Sequence, residues 1–85
     1  MRRRYLLVID EGTTGTRASA VDESGQVAAW AYRELGVVYP APGWVEQDPL
    51  EIWEKTCDVL AEVVRSLGDG AGRIEAIAVS NQRET

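Results

Sequence analysis

Three apolar segments lie between Tyr5 and Leu35, and the joints between them are too short to hold anything but turns. The first, Tyr5 to Asp10, is a compact run rich in branched residues that stops at Gly12 and reads as a buried strand. Thr16 to Val21 alternates loosely and ends on Asp22-Glu23-Ser24-Gly25, a strong turn signal. Gln26 to Leu35 reads as a third strand, with Val27, Ala29, Ala31 and Arg33 on one face and Ala28, Trp30 and Tyr32 on the other, although its alanines also suit a helix. Strands joined this closely pair antiparallel, so the amino-terminal part is predicted to be a pair of hairpins.

The second half reads differently. Gly36 to Gln47 is a loop punctuated by Pro40 and Pro42-Gly43. Asp48-Pro49-Leu50-Glu51 starts a helix: Asp48 caps it, Pro49 suits its first position, and Glu51 stands where a capping-box acid reaches back. Trp53, Cys57, Leu60, Val64 and Leu67 follow at steps of four, three, four and three, and are the predicted buried face. Gly68 is the stop, and Asp69-Gly70-Ala71-Gly72 continues as loop. Arg73 to Ser80, with Ile74, Ile77 and Val79, is a last strand that runs into the polar stretch Asn81 to Thr85.

The predicted order is β-β-β-α-β in an α/β fold. A helical crossover returns the last strand parallel to the first, giving a mixed sheet. In such sheets ligands gather beyond the carboxyl ends of the strands, so Asp10 and the Asn81 to Thr85 run are expected to flank one cleft. The chain stops at that run, where further strands or helices are expected, and reads as a piece of a larger protein. It contains no internal repeat, low-complexity segment or domain linker.

Composition narrows the function classes. Eighty-five residues suffice for one small domain, and 45% hydrophobic with 27% charged residues is ordinary for a globular protein. A net charge of −5 argues against nucleic acid as a partner. The basic cluster Arg2-Arg3-Arg4 reads as a solvated tail, and the apolar run after it is too short for a signal peptide or a membrane span. Cys57 is the single cysteine, which excludes an internal disulfide or a cysteine metal cluster. On the apolar helix face it is expected to be a small buried side chain. The cytoplasm is the default location. Trp30, Trp44 and Trp53 are expected to pack in a core or a lid. Glu51, Glu54, Asp58 and Glu62 read as first-turn charges and the solvated face of the helix.

Two stretches carry candidate chemistry. Asp10 to Arg17 is not a P-loop, because no Gly-Lys-Ser/Thr follows its glycines. Asp10 at a strand end can nevertheless hold Mg²⁺ directly or through water. Gly12 lets backbone amides approach a phosphate, and Thr13, Thr14 and Thr16 add hydroxyls. Arg17 brings a fixed positive charge if its neighbours aim it inward. The competing reading is a hairpin turn that uses Gly12 and Gly15 for positive φ. Arg83 and Glu84 together can donate to and accept from the vicinal hydroxyls of a polyol. Their competing reading is a solvated loop.

Three separated motifs, "DEGTTGTRA" from Asp10, "YPAPGWVEQDPLEIW" from Tyr39 and "SNQRET" from Ser80, resemble the amino-terminal part of the FGGY family of carbohydrate kinases. The last motif is similar to the version found in members that phosphorylate glycerol. The resemblance implies a partial N-terminal FGGY kinase domain over 1–85, with a ribonuclease H-like, actin-like ATPase fold. It implies a parent enzyme that transfers the γ-phosphoryl of ATP to glycerol, using Mg²⁺. By matching positions Asp10 would serve the metal, Thr13, Thr14, Gly15 and Arg17 the phosphates, and Arg83 and Glu84 the glycerol hydroxyls. The catalytic base is expected beyond residue 85. Another polyol or sugar as acceptor, or a non-catalytic actin-like module, are the alternatives. The chain departs from the family at Glu11, where Gln is usual, and at Gly15-Thr16, where Ser-Ser is frequent. The first change is expected to repel phosphates unless a metal or arginine compensates, and the second to remove one hydroxyl and loosen the turn. A homo-oligomeric parent is expected, and an isolated fragment that is inactive and self-associates through an uncovered sheet edge.

Overall fold

The computed structural model describes residues 3–12, 14–36 and 48–81. Strands β1 (Tyr5–Glu11), β2 (Gly15–Asp22) and β3 (Val27–Glu34) are followed by helix α1 (Pro49–Leu67), a 3-10 turn (Gly68–Arg73) and β4 (Ile74–Asn81). The sheet order is β3-β2-β1-β4. The β1–β2 and β2–β3 pairs are antiparallel, and β4 returns parallel to β1. The predicted order and mixed sheet are therefore observed, and only the Asp69 to Gly72 loop is replaced, by the 3-10 turn.

Alternation gives the sheet two unlike faces. Leu7, Ala18, Ala20 and Ala31 turn toward α1 and form the core with Val59 and Val63, all of them buried. Tyr5, Ala29, Leu60, Leu67 and Ile74 pack around them. Leu6, Val8, Asp10, Arg17, Trp30 and Tyr32 occupy the opposite face, which α1 leaves open. A register shift between Ala20 and Val21 inserts one extra residue into β3. It moves Val27 opposite Val21 on the open face, away from Ala29, Ala31 and Arg33, with which strict alternation grouped it.

The helix is entered as expected but presents a different face. The Leu50 amide donates to Asp48 Oδ1 at 2.9 Å, Pro49 opens the helix, and Gly68 closes it at φ +57°. The buried positions, however, are Val59 and Val63, whereas Trp53 is 64% exposed and Cys57 and Val64 are also exposed. The sheet beneath the helix is floored by Ala18, Ala20, Ala29 and Ala31, so the helix comes close and small β-branched residues fit where an indole would not. The expected burial of Cys57 and Trp53 is corrected accordingly. Glu51 Oε1 accepts from the Gly36 amide at 2.9 Å, and Glu62 pairs with Arg33 at 2.5 Å. Glu62 thus fastens the helix to β3 and Glu51 to the chain just after it, which the reading of a solvated face did not foresee.

Nor are the amino-terminal arginines a free tail. Arg3 pairs with Asp22 at 2.9 Å, and Arg4 bridges Glu23 at 3.0 Å and Glu75 at 3.5 Å. Arg2 lies outside the described residues. Asp22 organises the turn before β3: its Oδ1 accepts from the Ser24 hydroxyl (2.7 Å), the Ser24 amide (2.9 Å) and the Gln26 amide (3.0 Å). The Ser24 hydroxyl first, and then the Gln26 amide, hold the Asp22 carboxyl below the usual carboxylate range. A carboxyl depressed by folding contributes stability that is complete above its unfolded value, about 3.9, and is lost as pH falls through its folded value. Urea titration is expected to show Asp22→Ala well below the wild-type midpoint at pH 7. At acid pH, where the wild-type carboxyl is itself protonated, the two midpoints converge.

Candidate functional site

Asp10 and Gly15 stand at the two ends of a tight connection. The Gly12 amide donates to the Gly15 carbonyl and the Leu35 amide to the Thr14 carbonyl, each at 2.9 Å. The loop is thus a hairpin turn tied to the end of β3, as the turn reading expected. Thr13 lies outside the described residues. Gly15 does not use positive φ. Its smallness serves another need: a Cβ there would overlap the hydroxyl and Cζ of Tyr32 and sit 2.6 Å from Cε1. The turn is packed rather than loosened by this glycine.

Strand parity sorts the loop's charges. Asp10 and Arg17 face each other across β1 and β2 on the open face, and both are exposed. Arg17 is aimed by an aromatic neighbour, with its Cζ 4.6 Å from the centre of the Trp30 ring. Trp30 is 56% exposed and belongs to this open face, which corrects its expected place in a core. Glu11, one residue on, turns to the helix side. Thr56 Oγ1 lies 2.8 Å from Glu11 Oε1 and 2.7 Å from the Ile52 carbonyl oxygen, and its single hydrogen serves one of them at a time. The sheet itself thus separates the Glu11 carboxylate from the face of Asp10 and Arg17. Glu11 Oε2 and the facing Thr16 Oγ1 are buried and find no partner among the described residues.

At the same edge β4 brings Ser80 beside Asp10 and Asn81 beside Glu11. β1 and β4 thus end side by side at one edge, as the crossover argument requires. Arg83 and Glu84 lie outside the described residues, as do Trp44 and the loop over 37–47. A lone exposed carboxylate at Asp10 suits Mg²⁺, which retains several waters and takes one or two carboxylates together with substrate phosphates. Among the described residues no cluster of three metal-ligating side chains exists. An open cavity of about 270 Å³ lies at the opposite end of the sheet, between Arg4, Leu6, Val21, Glu23 and Glu75. Its charged groups already pair with one another. No helix among the described residues is long and apolar enough to cross a membrane.

Trp30 and Tyr32 share the open face with Asp10 and Arg17, which sequence reading did not assign to them. Their shared face was visible in the alternation of the third strand; the reach of Tyr32 over Gly15 and the stacking of Arg17 on Trp30 were not.

Residues 5–85 match the N-terminal domain of the FGGY family of carbohydrate kinases. The chain belongs to that family. The chain is 51% identical over 85 residues to the glycerol kinase of Haloarcula marismortui, covering all of this chain and 17% of that protein. Among solved structures, xylulose kinase from Rhodospirillum rubrum superposes with a TM-score of 0.88 at 34% identity over 95% of this chain and 17% of the other. Plasmodium falciparum glycerol kinase with ADP gives 0.86 at 28% identity, over 99% and 17%. The chain therefore spans about one sixth of the length of these FGGY relatives, and its strands and helix have the actin-like ATPase fold of its FGGY neighbours.

Proposed function

We propose that this chain is the amino-terminal part of an ATP-dependent kinase of the cytoplasm that phosphorylates glycerol to sn-glycerol 3-phosphate. The observation that carries the reading is the pairing of Asp10 with Arg17 on one open sheet face at the loop between β1 and β2. A carboxylate for a hard cation and a fixed cation for phosphate are the two charges that phosphoryl transfer needs positioned. Arg17 is held over Trp30 rather than spent in a described ion pair, and it is therefore free to meet an anion. Thr14, Gly15 and the backbone of the loop would line the phosphates, and Thr13 would join them. Mg²⁺, when bound, would neutralise charge on the transferred phosphoryl group, with Asp10 as its carboxylate. Arg83 and Glu84 would hold the acceptor hydroxyls, starting from the strand that ends beside Asp10.

Glycerol is favoured as acceptor by the 51% identity to a glycerol kinase across the whole chain. The xylulose kinase likeness, at 34% identity, supports a pentulose as the second reading. ADP release by the full-length protein that carries this chain, measured with glycerol and with sugars, separates the two. Arg83→Ala in the same assay should raise KM for glycerol. A sugar preference would leave the family and remove the acceptor.

The 85-residue chain by itself is proposed to be inactive and to self-associate. Ile77 and Val79 on β4 are 60% and 62% exposed on the helix side of the sheet. β4 is also an edge strand. Sedimentation at rising concentration should show growing assemblies, and a clean monomer would count against this.

A further inference from the structure

Tyr32 is a residue for which the sequence motifs provide no role. It lies on β3, opposite Arg17 across the β2–β3 pair, on the open face that also carries Asp10. Its ring leans along the sheet toward the loop until the hydroxyl covers Gly15, whose backbone it buries. The hydroxyl stands in the volume that a side chain at position 15 would fill. It makes no hydrogen bond to another described residue, so its donor is available to a ligand. Tyr32 thus stands opposite Arg17 in register, with its hydroxyl over Gly15, two residues before Arg17 along β2. A phenolic hydroxyl on the same sheet face as a fixed cation suits a phosphate oxygen.

We propose that Tyr32 is a nucleotide-phosphate contact delivered from β3, and that Gly15 is a glycine because the Tyr32 hydroxyl occupies the place of its side chain. The inference rests on the reading of the 10–17 loop as the phosphate site. In this chain a hydroxyl reaches the place of a side chain at position 15 from the neighbouring strand. Tyr32 and Gly15 are then a coupled pair: a side chain at position 15 requires a smaller one at position 32.

The test is calorimetric binding of Mg·ATP to the full-length protein, with thermal melting alongside. Tyr32→Phe keeps the ring over Gly15 and removes only the donor. It is expected to weaken Mg·ATP binding about tenfold, as loss of a hydrogen bond to a charged group does, with the melting temperature unchanged. Gly15→Ser alone is expected to lower both affinity and melting temperature, because its Cβ meets the Tyr32 ring. Gly15→Ser combined with Tyr32→Ala is expected to recover both relative to Gly15→Ser. Wild-type affinity in Tyr32→Phe would overturn the phosphate contact while leaving the loop's role standing. A double variant no better than Gly15→Ser would overturn the coupling. Absence of Mg·ATP binding by the wild type would overturn the loop reading and this inference together. Binding by the wild type without turnover on any acceptor would touch only the proposed reaction.

Discussion

Asp10→Ala in the full-length protein is expected to lower kcat by about two to three orders of magnitude, the range seen when one electrostatic group aimed at a transition state is removed. The side chain is exposed on the open face of β1 and enters no described hydrogen bond or ion pair, so its loss should leave folding within about 0.5 kcal/mol of wild type. The combination is diagnostic, because a structural carboxylate would change stability first. Added Mg²⁺ is expected to recover part of the rate if Asp10 acts through the metal. Steady-state kinetics over a range of Mg²⁺, paired with urea unfolding, supply both readings. An unchanged kcat would remove Asp10 from the site.

Val63→Asp should have the largest effect on stability. Val63 is wholly buried between α1 and the alanine floor of the sheet, with Val59 one turn before it. An unpaired carboxylate there costs about 3–5 kcal/mol, a large part of what a small domain has. Val64→Asp, one residue on, places the same charge on the exposed stripe and should cost less than about 1 kcal/mol in the 85-residue chain. Far-ultraviolet circular dichroism during urea unfolding compares them directly. Equal damage from both substitutions would mean that the helix is rotated from the face described above.

That pair of substitutions also marks where sequence reading was sufficient and where it was not. The short joints at Gly12 and at Asp22 to Gly25 forced antiparallel pairs, and the capped helix before β4 forced a parallel return, so the sheet followed from turn lengths alone. Which helix face is buried did not follow. Trp53, Cys57, Leu60, Val64 and Leu67 form as regular a stripe as Val59, Val63 and Leu67, and only the alanines opposite decide between them. Those alanines were on the page, but their demand for close approach appears only once strands and helix are assembled. The site shows the same division. Parity set Asp10 with Arg17 and turned Glu11 away toward Thr56, a consequence of alternation that inspection of the loop as a string does not bring out. The lean of Trp30 over Arg17 and of Tyr32 over Gly15 depends on side-chain direction across neighbouring strands, for which one sequence carries no signal.

The central claim, that these strands carry the phosphate edge of a glycerol-phosphorylating enzyme, is most directly tested by coupled ADP release from the full-length protein with Mg·ATP and glycerol, xylulose, ribulose or gluconate in parallel. The account predicts kcat/KM for glycerol at least about a hundredfold above that for each sugar acid or pentulose, a difference of roughly 2.7 kcal/mol in transition-state binding. A higher kcat/KM for any of the other three would contradict it.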